Sequence, residues 1–258
     1  EAELTPGYAP TDPASDPSGS PTAYTYDATG QLLGDGTHAY SYDPNGNRTG
    51  TGLITGPDNQ VLSDGTWDYR YDPEGNRTGK TSLIDGSSWS YTYDDANRLT
   101  SAIQRDSSGA VVYELDLAYD AFGNLLQQVE PTLVPGVQFV SCYSYDGPNV
   151  RSDLNADNVA TTRYLTGDSV NAVYARSSSS GPAWYLTDRL GSIRDLIDSS
   201  ATVLDHVDYD PYGNVVDESN PSQGDRFGFT GMTLLATVGL YFDHARDYDP
   251  FTTTFTTQ

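Results

Sequence analysis

Carboxylates dominate the side chains able to do chemistry. The 258-residue chain carries 36 Asp+Glu against 13 Lys+Arg, with three histidines and one cysteine. Two acidic loops, Asp43-Pro-Asn45-Gly-Asn47 and Asp72-Pro-Glu74-Gly-Asn76, place oxygen ligands at alternate positions, as calcium-binding loops do. An EF-hand loop needs glycine at its sixth position and glutamate at its twelfth. Here Gly46 and Gly75 fall at the fourth, and Ile54 and Leu83 take the twelfth. Turn chemistry explains these loops better than a calcium cage, so no cofactor is expected beyond weak Ca²⁺ at these six side chains. His38, His206 and His244 are scattered without ligand spacing, and Cys142, between Ser141 and Tyr143, reads as a small packed hydrophobe. Asn47-Arg-Thr49 and Asn76-Arg-Thr78 match the glycosylation acceptor pattern, and their place in turns accounts for both. No nucleophile elbow, phosphate loop or dinucleotide fingerprint is present. A carboxylate pair hydrolysing polysaccharide is conceivable chemistry, but acids are so abundant that no pair stands out. The chain is read as non-enzymatic.

The elements that hold these side chains repeat. Residues 35–50, DGTHAYSYDPNGNRTG, and 64–79, DGTWDYRYDPEGNRTG, are identical at 12 of 16 positions. Looser copies place Tyr24, Tyr26, Asp27 and Gly30 before them, then Tyr91, Tyr93 and Asp94, then Tyr119, Asp120 and Gly123. Tyr143, Tyr145 and Asp146 follow, and later Tyr209, Asp210 and Gly213. In the two clear copies the pattern is Tyr40, Tyr42, Asp43, Gly46 and Tyr69, Tyr71, Asp72, Gly75. Tyr-x-Tyr alternation puts both rings on one face of a strand. Asp-Pro-x-Gly or Asp-x-x-Gly then makes a turn, because Asp bonds the backbone ahead of it and Gly takes positive φ. Each copy is therefore a β-hairpin, and stacking the hairpins buries a continuous aromatic face. Core packing explains the tyrosine rows better than stacking against sugar rings in a groove.

Composition agrees with an all-β chain. Gly 25 and Pro 15 suit strands and turns, and 12% aromatic content separates it from disordered sequences. The net charge of −23 argues against nucleic acid or an anionic membrane surface as partner, and no run approaches a membrane span. Residues 5–22, with five prolines and little apolar content, read as a linker or an extended arm. The chain opens at Glu1 without a basic, apolar leader, and its acidity favours a trimmed, exported protein at the cell surface or outside the cell. In 188–197, Leu190, Ile193, Leu196 and Ile197 have helical spacing, which Gly191 weakens.

These residues resemble the YD-repeat, or Rhs, family of bacterial surface and toxin-delivery proteins. Besides the hairpin series, the stretch Tyr185-Leu-Thr-Asp188-Arg189-Leu-Gly191-Ser-Ile-Arg194 is similar to the family's core segment. It is followed in order by Tyr209-Asp210-Pro-Tyr-Gly213-Asn214, Phe227-Gly-Phe-Thr-Gly231, Gly239-Leu-Tyr-Phe242 and Ala245-Arg246-Asp247-Tyr248-Asp249-Pro250. The resemblance implies a long β-strip coiled as a spiral, which in toxin members shells a C-terminal toxin. Thr253-Thr254 stand where the family has Gly-Arg, and apolar MTLLATV replaces an acidic turn before Gly239. No Asp-Pro cleavage box follows before Gln258, so self-cleavage and toxin activity are not carried over. Arg189 and Arg194, among Asp188, Asp195 and Asp198, are expected to pair with carboxylates and hold strand register; anchoring a carbohydrate is the functional alternative.

The expected architecture is a spiral, solenoid-like sheet of stacked hairpins. Residues 1–22 form an arm or linker, 23–150 the hairpin array, and 151–258 a core-like segment continuing the same sheet. About eight hairpins are too few to wrap a toxin, and the Thr-rich end TTTFTTQ lacks the Lys or Pro that guards an edge. The leading expectation is a homopolymer, a surface or extracellular fibre made by continuing the sheet into the next copy, with surface polysaccharide as a further partner. The alternative is a fragment of an Rhs-type toxin shell or surface adhesin, and a carbohydrate-active enzyme comes third.

Overall fold

The computed structural model describes residues 23–132 and 136–257; the expected N-terminal arm lies outside them. Regular structure among these residues is strand, apart from two single 3-10 turns at Pro57–Asn59 and Phe229–Gly231. Sixteen strands, from Leu53–Thr55 to Val215–Glu218, form one antiparallel sheet in which neighbours in space are neighbours in sequence. A chain written as successive hairpins has no other simple way to pair.

The turns follow one recipe. At Asp120 the carboxylate Oδ1 accepts the backbone N–H of Phe122 and of Asn124, at 2.8 and 2.9 Å. The Asp120 N–H donates to the Asn124 carbonyl, and the Gly123 N–H returns to Asp120. Gly123 is left-handed at φ +90°, which glycine adopts without a Cβ clash. The same two carboxylate bonds recur at Asp27, Asp43, Asp94, Asp106, Asp188, Asp198 and Asp210. Residues 188–192 are one of these turns, and Ile193–Asp198 is a strand. Their apolar residues serve a strand, not a helix.

The expectation that 151–258 continues the sheet holds only to Glu218. The chain then leaves the strip and builds a separate four-stranded sheet from Thr233–Leu235, Leu240–Asp243, Arg246–Asp249 and Thr254–Phe255. Three successive residues there, Leu240, Tyr241 and Phe242, are buried at 3%, 1% and 6% exposure. A strand with one wet face buries alternate residues, so a run like this must be covered on both faces. Phe227, Leu235, Val238, Leu240 and Phe242 share one core with Trp89, Leu99, Leu115, Leu125, Tyr185 and Leu196 of the long sheet. The terminal sheet is therefore a plug against the inner face of the strip.

The strip also comes round on itself. The Tyr42 hydroxyl meets that of Tyr212 at 2.7 Å, Tyr40 packs edge-on against Tyr212, and the Arg48 guanidinium lies over the Tyr212 ring. Side chains, not a backbone ladder, join the first hairpins to the last turn of the sheet.

Candidate functional site

The tyrosines form two rows with different tasks. First-position Tyr69, Tyr91 and Tyr143 are buried. Second-position residues send their hydroxyls back one repeat: Tyr42 to the Leu32 carbonyl, Tyr71 to Val61, Tyr93 to Arg77 and Tyr119 to Leu99, at 2.7 to 2.9 Å. Each ring thus ties its hairpin to the one before. Tyr24 and Tyr26, in the first hairpin, are exposed. Burial raises the hydroxyl pKa of Tyr71, Tyr93, Tyr119 and Tyr145, so all four stay neutral donors.

Among the weak calcium candidates, Asp43 and Asp72 face their own loops. Asp43 Oδ1 accepts the N–H groups of Asn45 and Asn47, and Oδ2 accepts the Asn47 side-chain amide. Asp72 does the same with Asn76, while Glu74 is exposed. A cation there would meet donor hydrogens. The side-chain amides of Asn47 and Asn76 also bridge to Asn59 and Asn97 of neighbouring turns. No cluster of three metal-type side chains occurs among the described residues.

The charged chemistry instead gathers where the plug meets the strip. Arg77, 1% exposed, binds Asp249 at 2.5 Å and donates to Thr252 at 3.0 Å, with its guanidinium over the Tyr69 ring. Burial alone would raise the pKa of Asp249, but the charges of Arg77 and Lys80 outweigh it and hold the carboxyl ionised. Two residues away, Asp247 is 2% exposed and its Oδ1 has no hydrogen-bond partner. Burial pushes its pKa up to about 7.

A second, half-buried cation, Arg226, pairs with Asp153 at 2.8 Å and stacks on Tyr143, Tyr164 and Phe227. Asp225 binds Arg176 and the Tyr185 hydroxyl. Arg194 pairs with a carboxylate as expected, that of Asp208 on the adjoining strand, which is not one of the three acids beside it in sequence. Arg189 is exposed and makes no ion pair among the described residues, which corrects the expectation for that residue; its turn aims it at solvent. Arg246 lies over the Phe255 ring at 3.8 Å. Tyr248 donates to the Tyr212 carbonyl. Gly231 is left-handed and so close to Asn171 that a Cβ would collide with its carbonyl.

The Thr-rich end is not the open edge expected of it. Thr252, Thr256 and Thr257 are buried, and the Arg77 N–H donates to the Thr256 carbonyl at 2.8 Å. The fibre expectation rested on that edge. Among the described residues the plug uses it to seal against the strip.

The Teneurin YD-shell family matches residues 17–258. The chain belongs to that family. Among similar curated proteins are the tRNA3(Ser)-specific nuclease WapA of Bacillus spizizenii and the tRNA nuclease WapA of Bacillus subtilis strain 168. Each is 28% identical over 231 residues, covering 88% of this YD-shell chain and 8% of the relative. The chain thus spans under a tenth of the length of those relatives. Among solved structures, the Tc holotoxin pore of Photorhabdus luminescens aligns with 91% of this chain and 17% of its own, at 15% identity and TM-score 0.35. A porin-like protein of Bacteroides uniformis aligns with 76% of this chain and 86% of its own, at 12% identity and TM-score 0.30.

The sequence offered little sign of the plug contacts. Arg77 and Asp249 lie 172 positions apart, and each sits in a repeat-like motif where a turn role is the obvious reading. The one usable signal was the unalternated apolar run from Met232 to Val238.

Proposed function

We propose that this chain is the plugged end of a YD shell, part of a longer exported protein of the toxin class. The observation that carries the reading is the shared core: the terminal sheet packs its apolar residues into the inner face of the curled strip. Cavities of about 660 and 520 Å³ lie on either side of the plug hairpin around Leu234–Ala236. In this reading the plug seals a hollow that further repeats extend. The chain itself does no chemistry; its task is to close and hold. The relatives' names as nucleases support a toxin carried elsewhere in the longer protein. The acidic composition supports a place outside the cell. Hydrogen exchange tests the proposal: residues 233–249 should exchange as slowly as the strands Ser88–Tyr93 and Val111–Tyr119. Fast, independent exchange of the terminal sheet would refute a sealing plug. Sedimentation should give a dilution-stable monomer, whereas filaments would restore the fibre.

A further inference from the structure

Lys80 is the only lysine in the 258-residue sequence. Its ammonium lies over the indole rings of Trp67 and Trp89, at 4.9 and 5.8 Å. It lines the cavity of about 520 Å³ whose walls include Trp67, Tyr69, Tyr241 and Phe251. That volume is in the range of small-molecule sites, which are mostly apolar with a few placed polar groups.

The charges around Lys80 are unevenly paired. They balance in number, Arg77 and Lys80 against Asp249 and Asp64, but not in pairing, because Arg77 takes Asp249. The other acid whose field reaches Lys80 is Asp64. Its oxygens already accept the Thr66 and Trp67 N–H groups and the Tyr69 hydroxyl. Among the described residues the Lys80 ammonium has no hydrogen bond and no carboxylate within ion-pair distance. Burial lowers its pKa from 10.5, and the indole faces offset part of the lost hydration. An ammonium with three free donors, beside aromatic walls, is a ready partner for a carboxylate.

We propose that this cleft binds an organic anion with a flat apolar body, the ring lying along the aromatic wall and the carboxylate on Lys80. The proposal goes beyond the shell reading and does not depend on it. The polar wall residues Asn214 and Asp249 are already engaged with Asp210, Pro250 and Arg77, which leaves little to satisfy the hydroxyls of a neutral sugar, and a neutral ring would leave the ammonium unpaired.

Calorimetry with 2-naphthoate and its neutral counterpart 2-naphthalenemethanol tests it on the intact chain. The acid should bind about ten-fold tighter than the alcohol, the usual size of one charge-assisted hydrogen bond. Lys80→Met should erase that preference, and Lys80→Arg should keep most of it. In the unmodified protein 2-naphthoate should also slow acetylation of Lys80, read by mass spectrometry. Equal affinities for acid and alcohol, no binding at millimolar ligand, or no protection of Lys80 would each overturn the proposal, whether or not the variants fold.

Discussion

The long sheet and the terminal sheet use strands in opposite ways. Alternation is common in the long sheet: in Ser88–Tyr93, Trp89 and Tyr91 are buried while Ser90 and Thr92 face solvent. The terminal sheet buries Leu240, Tyr241 and Phe242 in succession, and its next strand takes two carboxylates inside, Asp247 and Asp249. A strip with one wet face tolerates substitution on that face and repeats easily. A plug covered on both faces tolerates little, and its polar groups need partners supplied from the strip.

That contrast can be broken at several points. The largest effect is expected at the Arg77–Asp249 pair. Arg77→Met leaves a carboxylate buried without its partner and should cost about 3–5 kcal/mol in urea unfolding. The double variant Arg77→Met/Asp249→Leu should recover much of the loss.

Next comes packing on the two faces. Leu240→Ala in the plug should cost about 2–5 kcal/mol, whereas Leu165→Ala on the outer face, where the side chain is 61% exposed, should change stability by at most about 0.5 kcal/mol. Equal losses would mean that the plug is not enclosed.

Asp247 gives the plug a pH dependence. Its pKa is raised from 3.8 to about 7 by burial, so between those values the folded protein holds a proton that the unfolded chain has lost. Stability from this group is full below about pH 4, falls as pH rises towards 7, and is flat above. By linkage the slope is about 1.4 kcal/mol for each pH unit between the two values. Asp247→Asn, which keeps the shape without the charge, should remove that slope and stabilise the protein at neutral pH. An unchanged pH profile would show that the carboxyl ionises in its ordinary range, its charge met by a cation or by water.

Smaller effects belong to the strip. Tyr119→Phe deletes the bond to the Leu99 carbonyl and should cost about 1 kcal/mol. Ala201 sits left-handed at φ +60° in a turn where most copies place glycine or asparagine. Ala201→Gly should stabilise by about 0.5–1 kcal/mol, the Cβ strain relieved less the backbone entropy lost, visible as a modest rise in melting temperature.

How much of the molecule is legible in its sequence follows from the range of the interactions. Turn chemistry acts within five residues, so Asp120, Gly123 and Asn124 spell out a hairpin by themselves. The two tyrosine rows are legible as a face, but the bond from Tyr93 to the Arg77 carbonyl depends on how successive hairpins stack. Asp43, Asn45 and Asn47 suggest metal ligands from spacing alone; the backbone conformation turns the Asp43 carboxylate onto the loop's own donors, the Asn45 and Asn47 N–H groups and the Asn47 amide. The Thr-rich end reads as an open edge because its partner, Arg77, lies far back in the chain.

Sequence alone determined the hairpin unit, its antiparallel meander and the acidic, repeat-built class of the chain. Those depend on alternation and on φ preferences, which are local properties of consecutive residues. Tertiary structure decided where the strip stops, what fills its inner face, and which charges lose water together. Arg77 and Asp249 became a buried latch, Asp247 a desolvated carboxyl, and Lys80 an unpaired ammonium, only when the plug folded back. Desolvation and charge pairing depend on which distant groups share a volume, and no spacing along the chain encodes that.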